Sequence, residues 1–505
     1  MAAQHETVED PTVVRTTNGL LRGTTEGGVN VWRGIAYAEQ PLGQRRFQAP
    51  APLQPWTGVR DAVEHGPLPP QGRSFVGGGR DDPKIRDEAC LTLTVWSPDP
   101  GAARMGAGAK TTLKPVMVWI PGGAFVYGAG QLQLYNGSRL AANGDVVVVN
   151  VTYRLGVFGG FELGDLGDGF DDNLCLRDQV AALSWVRDNI AAFGGDPDGI
   201  TVFGESAGAT SVLALLASPL AEGLFTRAIA QSPALPLIAD RETRARQAHR
   251  FVERLGVEVD ELKSLPQRRL RRAAGGLQAE SVTSSPTLAY GLTHGVDSLP
   301  LHPIEAARQG RVSSIPLIVG TNSHEASMFA WGKPPMLPTT QPMVDAYFAR
   351  TAPHAKERVL AAYPGYPRRS ALVAIGSDAM FCAPTWAFAD AYAEAAPTYV
   401  YRFEHAAWSL RLLGLGATHG SEIVHVQHSY GSYLGRKVHP LGRRVQPAVG
   451  RRMQRTWLNF ATAELGSEWP RYDATSRRTR VIRSTRDDTV ADPDAVRRSA
   501  WEGLY

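Results

Sequence analysis

The stretch at residues 200–217, ITVFGESAGATSVLALLA, constrains the fold more than any other part of this sequence. Its first four residues predict a short strand, and the small apolar residues from position 207 onward predict a helix. Gly204 and Gly208 flank Ser206 and allow a sharp turn between the two elements, because neither carries a Cβ atom. With 52 glycines in the chain, a G-x-S-x-G pattern alone is weak evidence. The strand before it and the helix after it favour a nucleophilic serine on a strand-to-helix turn.

Further apolar runs predict the other strands of a central sheet. The run at 146–151 is too uniformly apolar to face water on either side, which is typical of a buried central strand. The remaining candidates are Val116–Ile120, Ala228–Ala230, Pro316–Val319 and Tyr399–Phe403. Helical stretches separate these runs. The alternation predicts an α/β fold in which a large, mostly parallel sheet carries helices on both faces.

The clearest helix is predicted from Leu174 to Phe193, where apolar residues recur every three or four positions. Asp172 or Asn173 can cap its start, and the glycine pair at 194–195 ends it.

We predict one elaborated domain across all 505 residues. Residues from about 240 to 303 and from 333 to 369 have helical patterns without good strands, so we predict helical insertions over one end of the sheet. Ligands of such folds bind beyond the carboxyl ends of the strands, so these insertions should shape the pocket. The segment 97–114 is small and polar and predicts an exposed loop.

Composition excludes several function classes. A net charge of +4 is mild for this length and does not predict nucleic-acid binding; the arginine runs indicate a solvated face. Three widely spaced cysteines imply neither a disulfide framework nor a zinc site. The N-terminus lacks the pattern of a signal peptide, and no run of about 18 apolar residues predicts a membrane span. We therefore expect a soluble, cytoplasmic protein, either a monomer or a weak homodimer.

A nucleophilic serine requires a base and an orienting acid, which follow it in the order acid, then histidine, in folds of this kind. Glu325 lies just after the predicted strand at 316–319 and therefore at the same rim of the sheet as Ser206. An ordinary exposed glutamate fits that position equally well. His419 lies in the glycine-rich loop 414–420, and loops on a rigid scaffold are where catalytic side chains are placed.

The other histidines predict no cofactor. His405 and His439 lie in patterned or arginine-rich stretches. The combination of His425 and His428 with His419 and Glu422 matches no known metal-site spacing, so we predict neither a metal nor a cofactor.

A second glycine-rich segment follows the predicted strand at 116–120 and reads Pro121-Gly122-Gly123-Ala124-Phe125. Small residues there would let backbone N–H groups approach a substrate carbonyl closely and form an oxyanion hole. A plain glycine-rich turn is the alternative.

Several motifs together resemble the type-B carboxylesterase and cholinesterase-like family, within the α/β-hydrolase fold, and most of all its bacterial para-nitrobenzyl-esterase-like members. The similarity covers nearly the whole chain. The motifs are GIAYA at 34–38, LGQRRF at 42–47, EACLTL at 88–93, YRLGVFG at 153–159, FGGDP at 193–197 and FGESAGA at 203–209.

The resemblance implies a role for each candidate site residue. It assigns Ser206 as nucleophile, Glu325 as acid and His419 as base. It implies that the oxyanion hole consists of the N–H groups of Gly123, Ala124 and Ala207. It also implies that substrate contacts come from Gly122, Phe125 and Glu205.

The implied function is hydrolysis of small to medium, mostly apolar carboxylic esters through an acyl-enzyme, with a small-molecule ester as the partner and no metal or cofactor. The alternatives are a non-catalytic binding protein of the same family, or a hydrolase that prefers amide, carbamate or lactone bonds. The resemblance also implies structural ion pairs between Arg46 and Glu88 and between Arg154 and Asp178.

The chain departs from the family pattern at several positions. Pro121 replaces the usual His or Tyr, Ala89 replaces an Asp, Ala326 replaces a Gly, and Ser232 precedes a proline. Because the implied oxyanion donors follow Pro121, we expect catalysis to survive its missing N–H. The Gly123-Ala124 segment also resembles that of relatives that accept bulky tertiary-alcohol esters.

Overall fold

A computed structural model describes residues 10–72, 85–98, 112–284, 289–331, 337–440, 447–463 and 465–505. Within them the strands are β1 (Val13–Arg15), β2 (Leu20–Arg22), β3 (Thr24–Glu26), β4 (Val29–Ala36), β5 (Val59–Asp61), β6 (Thr92–Ser97), β7 (Lys114–Ile120), β8 (Val147–Thr152), β9 (Gly195–Glu205), β10 (Arg227–Gln231), β11 (Ile238–Asp240), β12 (Leu292–His294), β13 (Leu317–Asn322), β14 (Thr398–Phe403), β15 (Arg478–Ile482) and β16 (Asp487–Ala491).

The α-helices of the same residues follow in chain order. They are α1 (Ser138–Gly144), α2 (Leu174–Asn189), α3 (Ala207–Ala217), α4 (Arg241–Leu255), α5 (Gln267–Ser284), α6 (Pro303–Arg308), α7 (Gln341–Thr351), α8 (Lys356–Ala361), α9 (Arg369–Ser377), α10 (Ala383–Tyr392), α11 (Trp408–Leu412), α12 (Ile423–Val426), α13 (Tyr433–Val438), α14 (Ala448–Thr462) and α15 (Ala495–Trp501).

Eleven strands of the described residues form the central sheet, in the order β16-β15-β14-β13-β10-β9-β7-β8-β6-β4-β3. Neighbouring strands from β8 to β15 run parallel. The remaining neighbours pair antiparallel, with β6, β4 and β3 at one edge and β16 at the other. The six predicted strands are confirmed as β7, β8, β9, β10, β13 and β14. They form the parallel middle of the sheet.

Both faces of this sheet are buried under separate apolar layers. Val147, Val149 and Val151 of β8 pack in one core cluster, whereas Val146 and Val148 pack in another. Alternate side chains of a strand point to opposite faces, so an uninterrupted valine run matches a strand with two buried faces. Helices α2 and α3 contribute to the first layer, and α1 and α14 contribute to the second.

The predicted helix at 174–193 is confirmed as α2, which continues in a 3-10 turn and ends at Gly194 with a left-handed φ of 83°. The prediction of a side-chain cap at the start of α2 is wrong. Asn173 occupies the cap position, but its φ of 46° turns its side chain away from the helix. The amide instead donates to the carbonyl of Thr293 at 2.7 Å and to the hydroxyl of Ser298 at 2.9 Å.

The two predicted insertions contain several of the helices. Residues 240–303 include α4 and α5, together with β12, which pairs with β11 in a small parallel sheet that the sequence did not predict. Residues 333–369 include α7 and α8. Most of the predicted loop at 97–114 lies outside the described residues.

One helical run among the described residues is long and apolar enough to cross a membrane, by length and composition alone. This run, Arg369–Tyr392, has 78% of its apolar window buried inside the structure. Such burial is typical of a core helix.

Both expected ion pairs are confirmed. The Arg46 guanidinium contacts the Glu88 carboxylate at 2.7 and 2.5 Å. Arg154 contacts Asp178 at 2.8 and 2.6 Å, and both side chains are almost fully buried. The three cysteines of the chain are free and buried: Cys90, Cys175 and Cys382.

Candidate active site

Ser206 lies on the sharp turn between β9 and α3. Its backbone has a φ of 58° and a ψ of −125°, a conformation that L-residues rarely adopt and that costs on the order of 1–3 kcal/mol. Flanking hydrogen bonds hold the turn in place. The N–H of Ser206 donates to the carbonyl of Gln231 on the neighbouring strand at 2.9 Å, and Thr210 N–H donates to the Ser206 carbonyl at 2.8 Å.

The glycines around Ser206 leave no room for a side chain. A Cβ atom on Gly208 would lie 2.1 Å from the carbonyl oxygen of Ile120, and one on Gly204 would lie 2.7 Å from the Gly208 backbone. The turn therefore packs directly against the end of β7. This close approach, rather than the serine itself, explains why both flanking positions are glycine.

Glu325 and His419 form a hydrogen-bonded pair. Glu325 follows β13, has no exposed surface, and its Oε2 lies 2.6 Å from Nδ1 of His419. The other carboxylate oxygen accepts the N–H of Asn322 at 2.6 Å, which fixes the carboxylate orientation. Because Nδ1 faces the carboxylate, Nε2 of His419 is the nitrogen that can accept or donate a proton.

A second carboxylate lies on the Nε2 side of His419. Oε1 of Glu205 is 3.1 Å from Nε2, but within the described residues neither atom has a partner in hydrogen-bonding geometry. Gly122 lies between Glu205 and the serine, since a Cβ atom there would be 3.0 Å from both Glu205 Oε2 and Ser206 Cβ. The structure thus brings Gly122, Glu205, Ser206 and His419 together.

Three buried carboxylates determine the charge of this site. Burial alone would lower the pKa of His419, but Glu205, Glu325 and Glu422 raise it to about 9. Burial raises the pKa of Glu205 to about 8, with His419 opposing the shift. Burial also raises the pKa of Glu422, which accepts a hydrogen bond from Asn322 at 2.5 Å. The imidazole is therefore surrounded by groups that favour its charged form.

Among the described residues, backbone N–H groups without acceptors occur in the loop after β7 and at the start of α3. Gly123, Ala124 and Phe125 have left-handed φ values of 122°, 54° and 58° in succession. The carbonyl of Gly123 accepts N–H bonds from the next turn, whereas the described part of the chain offers no acceptor for the N–H groups of Gly123 and Ala124. Ala207 is the first residue of α3, so its N–H has no partner within the helix.

Phe125 does not occupy the expected position. Its side chain has no exposed surface and lies in the main core cluster, so it cannot line an open cleft. The left-handed backbone turns this side chain inward, where it supports the loop. Pro121 is a departure from the family pattern, and its carbonyl oxygen accepts a hydrogen bond from the Tyr153 hydroxyl at 2.7 Å.

Two phenylalanines that the sequence did not single out pack against the imidazole. The ring centroids of Phe381 and Phe329 lie 4.4 and 5.4 Å from that of His419. Phe381 belongs to a π-helical turn, Asp378–Cys382, which interrupts the long apolar helix. Such turns are frequent at functional sites, but no periodicity in the sequence distinguishes this one.

A comparison with family models matches the Carboxylesterase family over residues 10–497. Among curated relatives, para-nitrobenzyl esterase of Bacillus subtilis is 36% identical and covers 96% of this chain and 97% of its own length. Phenmedipham hydrolase of Pseudarthrobacter oxydans is 32% identical over 92% of this chain and 93% of its own.

Solved structures give the same result. A para-nitrobenzyl esterase structure aligns with a TM-score of 0.86 at 34% identity, covering 97% of this chain and 99% of its own. A carboxylesterase of Geobacillus stearothermophilus aligns with a TM-score of 0.82 at 35% identity, covering 97% and 100%.

Proposed function

The chain belongs to the carboxylesterase family and hydrolyses carboxylic esters, and we propose that Ser206, His419 and Glu325 carry the reaction through an acyl-enzyme. One observation supports this most directly. Nδ1 of His419 is held at 2.6 Å by a fully buried carboxylate, which leaves Nε2 free of a hydrogen bond within the described residues. A base oriented in this way is what a serine nucleophile requires.

Acylation begins when Nε2 of His419 takes the Ser206 proton and the hydroxyl oxygen attacks the ester carbonyl. Negative charge develops on the carbonyl oxygen, which accepts hydrogen bonds from the N–H groups of Gly123, Ala124 and Ala207. Each such donor stabilises the transition state by roughly 2.7–4 kcal/mol. Glu325 stabilises the imidazolium, which then protonates the leaving alcohol.

Deacylation repeats these steps with water. His419 takes a proton from the water molecule, the resulting hydroxide attacks the acyl carbonyl, and the tetrahedral intermediate collapses. The proton returns to Ser206 and releases the acid. Both half-reactions use the same three side chains and the same anion site.

We propose that the substrates are small to medium, mostly apolar esters. The support is the pair of phenylalanine rings, Phe329 and Phe381, beside the catalytic imidazole. A series of p-nitrophenyl esters with acyl chains of increasing length would measure this preference. Hydrolysis of a tertiary-butyl or linalyl-type ester would support acceptance of tertiary alcohols at Gly123 and Ala124, and no turnover would contradict it.

The decisive experiment replaces the nucleophile. Ser206→Ala should abolish hydrolysis of short p-nitrophenyl esters, whereas Ser184→Ala, a control on α2 whose hydroxyl donates to the Val180 carbonyl, should retain full activity. An organophosphate should label Ser206 stoichiometrically. Near-normal turnover in Ser206→Ala would refute the mechanism, and absence of labelling would favour the non-catalytic alternative.

The same assays address one further alternative. A hydrolase specialised for amides, carbamates or lactones would use the same three side chains, so only comparison of kcat/KM across bond types separates them. We still predict that the protein is a monomer or a weak homodimer and that it lies in the cytoplasm.

A further inference from the structure

A second group of histidines lies in the chain segment that carries His419. His405 follows β14, His425 is on α12, and His439 ends α13. One ring nitrogen from each of the three lies within 4.8 Å of the other two. His425 and His439 are buried, and His405 is partly buried. Three imidazole nitrogens converging in the interior form an arrangement typical of a metal site.

Hydrogen bonds orient two of the three rings. Nδ1 of His405 lies 2.8 Å from the hydroxyl oxygen of Ser484, and Nδ1 of His425 lies 2.9 Å from the hydroxyl oxygen of Tyr430. When Nδ1 donates its proton to such a partner, the Nε2 lone pair is free. Metal-binding histidines are commonly oriented in this way by a neighbouring oxygen.

The free nitrogen of His405 is not explained by packing alone. Nε2 of His405 is buried and has no hydrogen-bond partner within the described residues. A buried polar atom without a partner is energetically unfavourable, so such atoms usually bind water or an ion. The ring centroids of His405 and His439 lie 5.0 and 4.7 Å from that of His425, so His425 is the centre of the group.

We propose that His405, His425 and His439 bind one divalent metal ion of the zinc class. Zinc binds imidazole at about 2.0–2.1 Å in tetrahedral geometry, which places ligand nitrogens about 3.4 Å apart. The three nitrogens now lie within 4.8 Å of one another, so the rings must move closer together to bind the ion. Three imidazoles suit Zn²⁺, Co²⁺, Ni²⁺ or Cu²⁺, whereas Mg²⁺ and Ca²⁺ require oxygen ligands. Water completes the coordination.

The bound ion would stabilise the chain segment that carries His419. His405 precedes His419 in the chain, while His425 and His439 follow it, so the ion joins both ends of the segment that carries the base. Glu422, next to the base, immediately precedes α12, the helix that carries His425. Because the ion binds only the folded arrangement, it stabilises the folded state and leaves the esterase chemistry to the triad.

The test uses full-length protein without a polyhistidine tag. After equilibrium dialysis against zinc and removal of free metal, elemental analysis should find one zinc per chain. Co²⁺ should produce the visible absorption bands of a tetrahedral site. An excess of Mg²⁺ or Ca²⁺ should not displace either ion. Zinc should also raise the Tm of the wild-type protein, by on the order of a few degrees.

The matched variants are His405→Gln and His439→Gln, with the exposed His354→Gln as control. The first two should lose stoichiometric zinc, the cobalt bands and the zinc-dependent rise in Tm, and the control should keep all three. Failure of the wild-type protein to bind zinc would overturn the proposal without requiring any variant to fold. Equal binding by the wild type and by folded His405→Gln would overturn it too. Neither outcome bears on the role of Ser206.

Discussion

One segment, residues 405–439, holds both His419 and the group of His405, His425 and His439, and the two differ in what surrounds them. His419 faces carboxylates, whose charges raise its pKa to about 9 against the effect of burial. At His405, burial and the neighbouring His439 lower the pKa to about 4, and burial lowers the pKa of His439 to about 4 as well. Burial lowers the pKa of every one of these rings. The neighbours therefore determine whether a buried imidazole moves protons or stays neutral.

The contrast extends to the oxygen that each Nδ1 faces. At His419 it is a carboxylate, which stabilises a charged ring in the transition state. At His405 and His425 it is a hydroxyl, which orients a neutral ring without charging it. In our two proposals, the same side chain thus serves as a base in one place and as a metal ligand in the other.

The largest effect is expected for His419→Gln. Loss of the base should lower kcat on short p-nitrophenyl esters by on the order of 10⁵–10⁶-fold, as removal of a triad histidine does in serine hydrolases. Steady-state kinetics, with circular dichroism to verify folding, provide the measurement. The exposed His354→Gln is the control and should retain full activity. A drop of less than about tenfold would contradict the role of His419 as base.

Glu325→Gln should lower kcat by about 10⁴-fold, because an amide can hold the imidazole in the wrong tautomer and cannot stabilise its charge. Active-site titration with an organophosphate would show that the serine remains accessible in the variant. Activity within a few fold of wild type would contradict the role of Glu325 in orienting the base.

Tyr430→Phe removes the hydroxyl group that orients His425. Loss of such a partner typically lowers metal affinity 10–100-fold, so zinc should bind this variant more weakly by that factor. Competition with a chromophoric chelator measures the affinity, and Tyr433→Phe on α13 is the matched control. Unchanged affinity would show that the hydroxyl has no part in ligand orientation.

Glu205→Gln should shift the pH dependence of kcat/KM. His419 must be neutral to accept the serine proton, so activity rises as pH passes through its pKa. Carboxylates raise that pKa, which places the acidic limb of the wild-type profile above the usual histidine value of about 6.5. Removing the Glu205 charge should move the limb to lower pH by on the order of one unit. Exposed Glu357→Gln should leave it unchanged, and an unmoved limb in Glu205→Gln would contradict the assignment.

Much of the fold could be predicted from the sequence because its central strands are buried on both faces. The valine run of β8 can be recognised as a buried strand from its composition alone. The edge strand β16 and its neighbour β15 carry charged residues at exposed or half-buried positions, so their sequences look like loops. The side chain of Asn173 was predicted to cap α2, but its partners Thr293 and Ser298 lie more than a hundred residues away. No local pattern contains such contacts.

The site was predictable to a similar extent. Ser206 could be singled out from the strand and the helix predicted on either side of it. The roles of Glu325 and His419 were assigned from a resemblance to known motifs. The position of Phe125 depended on three consecutive left-handed residues, which the letters GAF do not reveal. The group of His405, His425 and His439 was missed because its members end or occupy three different elements, and only the packing of the chain brings them together.

The glycine cradle around Ser206 has a consequence for laboratory evolution of this enzyme. Positions 204 and 208 face backbone atoms at distances that no side chain can accommodate, so random libraries there should yield almost only inactive clones. Phe329 and Phe381 contact the imidazole through their rings, so exchanging them for smaller residues should leave the turn intact. Selection for new ester specificities can therefore change Phe329 and Phe381 but must keep glycine at positions 204 and 208.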